Sequence, residues 1–475
     1  MNIMMTFGGV TTMRLDLWIK NGFVYRNGES FRAGHVGIKD GKIHIISESY
    51  AEFEAERVID ADGLHVLPGM IDAHVHFREP AKNPSETENF FTGTRAAAAG
   101  GITSIMEMPN SYPCTYNTEL LAKRKQILHT EALIDYGLYG AAGSDHLEDI
   151  APLASEGISA YKTFMHRAPA GREDEFEGFT MTSDRDLYEG FSQIAKTGLP
   201  LAIHAEHDEL LGYFSEYAER HFIEDDVNKH LIARNPLVET SAIQRVVFFA
   251  GQLKIPVICC HVSSPEALEI IKRAKRDGIR VYAEICPHYL LFDDSHLEKL
   301  GPYGKCNPPL RSAEQLEALW SYIDDGTIDY ISSDHSPFPK ALKDLGYANI
   351  LKSPAGFPGT EMTLPLMLDQ VNRGKLSLQK LVELMSVNPA KTFGMHPEKG
   401  TLGVGTDADI TIIDLNAKRK VDIRELYTTA RETALLYDGL ELRGLPAYTI
   451  VRGKVVAERG KVDDTAKGWG KFISS

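Results

Sequence analysis

The chain is short of cysteine: five in 475 residues, an odd number without CxxC spacing. Neither a disulfide framework nor a thiolate zinc site is expected, and reduced thiols lying mostly in apolar runs favour a cytoplasmic setting. No run of 18 apolar residues occurs, and MNIMMTFGGVTTMRL has no basic segment ahead of an apolar one. No membrane span or secretion leader is expected. Positive charge is in deficit, 51 Lys+Arg against 66 Asp+Glu for a net charge of -15. Nucleic acid and anionic membrane surfaces are disfavoured as partners. GxGxxG, GxxxxGK[ST], internal repeats and low-complexity segments are also missing, which removes the two best-known nucleotide-binding readings. What is present is an ordinary globular composition, 43% hydrophobic and 25% charged, on a chain long enough for a large core and a second module.

Two textures divide the chain. LWIKNGFVY, HVGIKDGKIHIIS and ERVIDADGLHVLPG are β-rich with N-G and D-G turn signals, and the same pattern returns in DADITIIDL and AYTIVRGKVVAERGKV. These segments predict a small β-sandwich module from residues 14–67 plus 400–462, with 463–475 as a C-terminal tail. Between them, over 68–399, eight short apolar strands alternate with amphipathic helices: MIDAHVHF, TSIMEMP, DYGLYGAA, ISAYKTFM, PLAIHAE, PVICCHVSS, VYAEICPHY and DYISSDHS. An α/β TIM (β/α)8 barrel is expected, with a doubly wound open sheet as the alternative that periodicity leaves open.

Polar residues recur at the C-terminal ends of these strands, where a barrel places its chemistry. His74 and His76 stand two apart on one strand and so share a face; His204, His261 and Asp334 end three others. Each alone is an ordinary packed or surface residue. Together, as N and O donors without thiolate, they predict a divalent metal site, with Zn²⁺ the first choice and Mn²⁺, Fe²⁺ or Co²⁺ as alternatives. Lys162 ends the fourth strand among apolar neighbours. Either it pairs with a buried acid, or, desolvated, it takes up CO₂ and becomes a carbamate able to bridge two metals.

In this order the motifs LPGMIDAHVHF, AAAAGGITSIMEMPN, the lysine strand, HAE, CHVSS, ICPHYL, GKCNPPLR, SSDHSPF, VNPAKTFG and GTLGVGTDADI resemble the cyclic amidohydrolases, the group of hydantoinases and dihydropyrimidinases, allantoinases and dihydroorotases. The resemblance spans nearly the whole chain. It implies that His74 and His76 bind the more buried metal, that carboxylated Lys162 bridges, that His204 and His261 bind the second metal, and that Asp334 ligates and acts as general base. It further implies a hydroxide bridging two cations that opens a cyclic amide, a small-molecule substrate, and a homo-oligomer, tetramer or dimer.

Substrate signals are mixed. Arg78, Asn110 and Asn307 resemble the dihydroorotase positions that hold a substrate carboxylate, although Arg78 also has Glu79 and Glu86 nearby as partners. Lys162 sits in a hydantoinase-like KTFM context, yet the tyrosine that dihydropyrimidinases place shortly afterwards is missing, leaving His166 or Arg167 in its stead. Phe338 stands where many dihydroorotases carry a histidine. The segment AGFPGTEMTLPL, with Gly359, resembles the loop that reads a cyclic ureide through its main chain. His288 is expected to orient a ligand or substrate, and Glu206 to steady a metal-bound histidine. The acidic stretch REDEFE, 172–177, is expected as a solvated loop over the barrel mouth. A hydantoin-type ring leads, with dihydroorotase and allantoinase activities next. A non-catalytic scaffold and a single-metal deaminase are the alternatives from other classes.

Overall fold

The computed structural model describes residues 14–28, 30–49, 53–169, 171–222 and 226–474. The leader reading of residues 1–13 and the last residue of the tail lie outside these.

Strands β1 (Leu15–Arg26), β2 (Ser30–Lys39), β3 (Lys42–Ser47), β4 (Ala55–Asp60) and β5 (His65–Pro68) come from the N-terminal segment. Eight strands follow in the middle of the chain: β6 (Met70–Val75), β7 (Ile102–Glu107), β8 (Asp135–Ala141), β9 (Ala160–Phe164), β10 (Leu201–His204), β11 (Val257–Cys259), β12 (Val281–Ile285) and β13 (Tyr330–Ile331). The C-terminal segment adds β14 (Ile410–Lys420), β15 (Glu441–Val451), β16 (Lys454–Glu458) and β17 (Lys461–Val462).

The two terminal segments join where β5 pairs with β14, Val66 opposite Ile412. Their strands form one nine-stranded hydrogen-bonded sheet, mostly antiparallel, with β4 and β5 parallel to β1. Alternation dictates its buried face: Leu15, Leu17 and Ile19 of β1 are all withdrawn from solvent.

The middle strands β6 to β13 pair with their sequence neighbours in parallel. The barrel closes through a bridge between Val75 and His335, with the His76 N–H donating to the His335 carbonyl over 2.7 Å. Ile71, Ala73, Met106, Tyr139, Ala160, Ala202, Ile258 and Tyr330, contributed by seven different strands, pack into one interior cluster, so the barrel is filled rather than open. Predicted helices appear with their caps. Asn89 and Ser183 close capping boxes on Phe90–Ala99 and Asp184–Ala195, and Pro265–Arg276 ends on Arg273, Lys275 and Arg276, which suit the negative end of its dipole.

Buried Lys399 ties the two modules together, donating to Asp135 of the barrel at 2.7 Å and also to Asp409 of the segment leading into β14. The tail is docked: Gly470 donates to Ala132, and Lys471 and Ile473 bracket Tyr136 through backbone hydrogen bonds. Among the described residues no helix is long and apolar enough to cross a membrane.

Candidate metal centre and active site

Backbone irregularities aim the expected ligands. The β6–β7 register shifts between Asp72 and Val75, at the point where His74 and His76 follow the interior residue Ala73. His261 and Asp334, each just past the end of its strand, have φ of 37° and 47°, and Arg78 has 64°. Non-glycine residues held there store strain of about 1–3 kcal/mol each, the kind that collects at functional sites.

Three donor atoms meet at one point: Nε2 of His74 and His76 are 3.1 Å apart, and Oδ1 of Asp334 lies 3.2 Å from the first and 3.3 Å from the second. Beside them, Nδ1 of His204 faces Nε2 of His261 at 3.0 Å. Two donors about 2.0 Å from one ion at a tetrahedral angle lie about 3.3 Å apart, so both groups have spacings that suit ligands of a cation. Burial first, and the Lys162 ammonium among other charges, holds all four histidines well below the usual imidazole range, which leaves neutral rings with free lone pairs. The His74, His76 and Asp334 donors therefore fit a divalent cation, and the His204–His261 pair offers two further nitrogens beside them.

The outer hydrogen bonds fix which nitrogen faces inward. His74 gives its Nδ1–H to Glu284 over 2.7 Å, and Glu284 also accepts the His261 backbone N–H at 3.0 Å. His204 gives Nε2–H to Glu206 over 2.6 Å, and Glu206 in turn takes a close hydrogen bond from Arg234. The hydrogen bond that the sequence reading gives Glu206 is present, whereas nothing in the sequence points to Glu284. Its residue lies inside an apolar strand, and only barrel closure brings it under His74.

Lys162 is wholly buried, lines the same cavity as both donor groups, and among the described residues its Nζ has the Cys260 thiol at 3.0 Å as its one hydrogen-bond partner. The acid partner of the simpler reading is not found among the described residues.

A cavity of about 80 Å³ opens onto this centre, lined among others by Arg78, Asn110, Lys162, His166, Arg172, Asn307, Asp334, Ser336 and Ala355. Arg78 does not pair with Glu79, which instead accepts the Phe90 N–H at 2.7 Å. Its guanidinium donates to Ser336 Oγ at 2.5 Å and to the carbonyls of His76 and Pro337, and stacks 4.2 Å over Phe338. Burial lowers its pKa to about 10, so it remains charged. Arg78 Nε, Asn110 Oδ1 and Asn307 Oδ1 are buried without hydrogen-bond partners among the described residues. Behind this wall buried Glu107, paired with Arg124 at 2.6 Å, accepts the backbone N–H groups of Phe77 and Arg78 and so holds the strained turn.

Of the two replacements for the missing tyrosine, Arg167 is turned to solvent and paired with Asp208 at 2.6 Å. His166 lines the cavity, with its Nδ1–H held by the Arg167 carbonyl at 2.8 Å. The acidic stretch is only partly solvated, because Arg172 and Phe176 reach into the cavity wall. Gly359 is not in that wall. It begins helix Thr360–Asn372, where a Cβ would meet the Ser333 carbonyl at 3.1 Å, so it permits close packing behind Asp334. His288 also sits behind the wall, with its ring against Tyr289 and Phe357, Nε2 unpartnered, and its pKa lowered by burial to about 4.

Comparison with known proteins agrees with this geometry. The amidohydrolase family model matches residues 65–456. The L-hydantoinase of Paenarthrobacter aurescens is 36% identical over 439 residues, covering 92% of this chain and 93% of the relative. An allantoinase of Rubrobacter xylanophilus is 34% identical over 449 residues, covering 94% and 95%. Among solved structures, L-hydantoinase (dihydropyrimidinase) from Arthrobacter aurescens superposes with a TM-score of 0.91 at 34% identity, covering 97% of this chain and 100% of that one. With the barrel, the paired donor groups and these relatives all in agreement, the chain belongs to the amidohydrolase family, among its cyclic amidohydrolases.

Proposed function

We propose that the chain opens a hydantoin-type cyclic ureide at a ring amide, and that the substrate carries an acidic group held by Arg78. The observation that carries the second part is a guanidinium buried in the cavity wall whose hydrogen-bond partners are all neutral and whose Nε–H is left without one among the described residues. A planar fork suits a carboxylate.

In this reading His74, His76 and Asp334 hold one cation and His204 and His261 the other, with carboxylated Lys162 between them. Two divalent cations, Zn²⁺ first among the candidates, supply an ionised water at neutral pH and polarise the ring carbonyl. Asp334 keeps Oδ1 toward the imidazoles and uses its other oxygen to take the proton of the attacking water. It returns that proton to the ring nitrogen as the C–N bond breaks, since an amide anion is too poor a leaving group. The product is a carboxylate with an N-carbamoyl group. Glu206 and Glu284 keep the ligand tautomers correct.

Lys162, buried and hydrogen-bonded to a thiol rather than to a carboxylate, argues against a single-metal deaminase, and the convergence of all six ligand positions argues against a scaffold. Identity to allantoinases favours allantoin as a second ring. Exposed Tyr213, Tyr217 and Phe248 on two helices support a homo-oligomer, and five free buried cysteines support a cytoplasmic protein.

The test is kcat/KM on paired rings, a neutral hydantoin or dihydrouracil against its carboxylate-bearing counterpart, dihydroorotate included. Preference for the acidic ring, lost in Arg78→Ala, is expected. Preference for the neutral ring would make Arg78 structural and leave an uncharged hydantoin or allantoin as substrate.

A further inference from the structure

Two lysines outside the metal centre are buried on the cavity side of the barrel, and neither has an acid partner among the described residues. Lys305 lies two residues before the cavity residue Asn307. Its Nζ donates to three carbonyls of the long loop after β13: Ser353 at 2.6 Å, Ile350 at 2.7 Å and Leu351 at 3.3 Å. Its own carbonyl accepts the Gly356 N–H at 2.9 Å and, at 3.3 Å, the Nζ of Lys343, which also reaches Pro302. Lys305 is 4% exposed and Lys343 1%, so both amines are committed to carbonyls rather than to water.

An irregular loop has no ladder to satisfy its carbonyls, and a buried one needs donors from elsewhere. That need explains an amine, a donor to several carbonyls, where an apolar side chain would carry no desolvation cost. The loop it secures contributes Ala355 to the cavity wall. Gly356 has φ 139° and lies so close to Ser336 that a Cβ would come within 2.5 Å of its Cβ and Oγ. Ser336 Oγ is in turn the acceptor of the Arg78 guanidinium. Ala355 and Asn307, flanking this chain of contacts, both face the cavity.

We infer that Lys305 is a positioning residue for substrate: its carbonyl-held amine sets the wall formed by Asn307, Ala355 and Ser336, and through Ser336 the angle of Arg78. The inference rests on this cavity being the substrate site proposed above. Lys343 supports the same arrangement from behind.

The test uses the full-length, metal-loaded protein with Lys305→Met, Lys305→Ala and Lys305→Arg. With metal content unchanged, the account expects Lys305→Met to raise KM for the carboxylate-bearing ring about tenfold, with kcat within about threefold and a smaller effect on the neutral ring. Ethylammonium added to Lys305→Ala should bring KM back, and tetramethylammonium, which has no N–H, should not. An unchanged KM with only a lower Tm would overturn the inference and leave Lys305 as a staple of the fold. Should the Met and Ala variants fail to fold, Lys305→Arg keeps the charge but displaces the loop by its bulk, and an unchanged KM there is equally contrary. If the wild type opens neither ring, the parent reading fails. Amide exchange then decides the wall separately: faster exchange over residues 350–356 and 76–79 in the variant supports it, and unchanged exchange contradicts it.

Discussion

Glu206 accepts the Nε2–H of His204 across 2.6 Å, which turns Nδ1 of that ring toward His261. Replacing Glu206 by Ala frees the ring and strands Arg234, which shares the same carboxylate. Metal affinity at the His204–His261 pair should fall about 10- to 100-fold, the usual effect of losing such a partner. Metal titration of the purified variant checks this, and Glu206→Gln, which keeps an acceptor oxygen, should recover part of the loss.

The Glu107–Arg124 pair makes a stability prediction with a pH signature. Both side chains are buried, and burial already pushes Glu107 up to about 7. Arg124→Met leaves that carboxylate unpaired and should cost about 3–5 kcal/mol at pH 8. Loss of Arg124 raises the folded-state pKa further. At pH 6 the protonated acid escapes the charge penalty, so the deficit shrinks. Denaturant unfolding at the two pH values measures both numbers.

Glu361 offers a cleaner titration away from the metal centre. Burial raises its carboxyl to about 8, while its one backbone hydrogen bond, from Tyr427 at 2.8 Å, lowers it only in part. The folded pKa exceeds the unfolded value of about 4.5, so the folded state binds the extra proton between those limits. Its stabilising contribution is present below pH 4.5 and is lost as pH rises toward 8, with a slope of at most about 1.4 kcal/mol per pH unit. Glu361→Gln should remove that slope, seen as a Tm that falls less between pH 5 and 8 than in wild type.

Much of this architecture is legible in the sequence because short-range rules carry it. Apolar runs ending in His74, His204, His261 or Asp334 name both the strand and its functional end, and Asn89 and Ser183 announce their helices. What stays hidden depends on long-range closure. Glu284 sits in VYAEI as an ordinary strand residue until the barrel puts it 210 positions away in sequence and 2.7 Å away in space from His74. Glu107 and Lys305 carry no signal for the same reason, since nothing local shows that Arg124 or three loop carbonyls will meet them. Gly359 carries a local signal for close backbone approach, and the structure packs it against Ser333.

The most direct test of the account is to strip the protein of metal, return Zn²⁺ in the presence of bicarbonate, and follow hydantoin ring opening against bound metal per chain. The account predicts no ring opening without metal, recovery that completes as the second equivalent binds, and neither recovery nor full metal occupancy in Lys162→Ala. Ring opening that persists undiminished in the metal-free protein would contradict it.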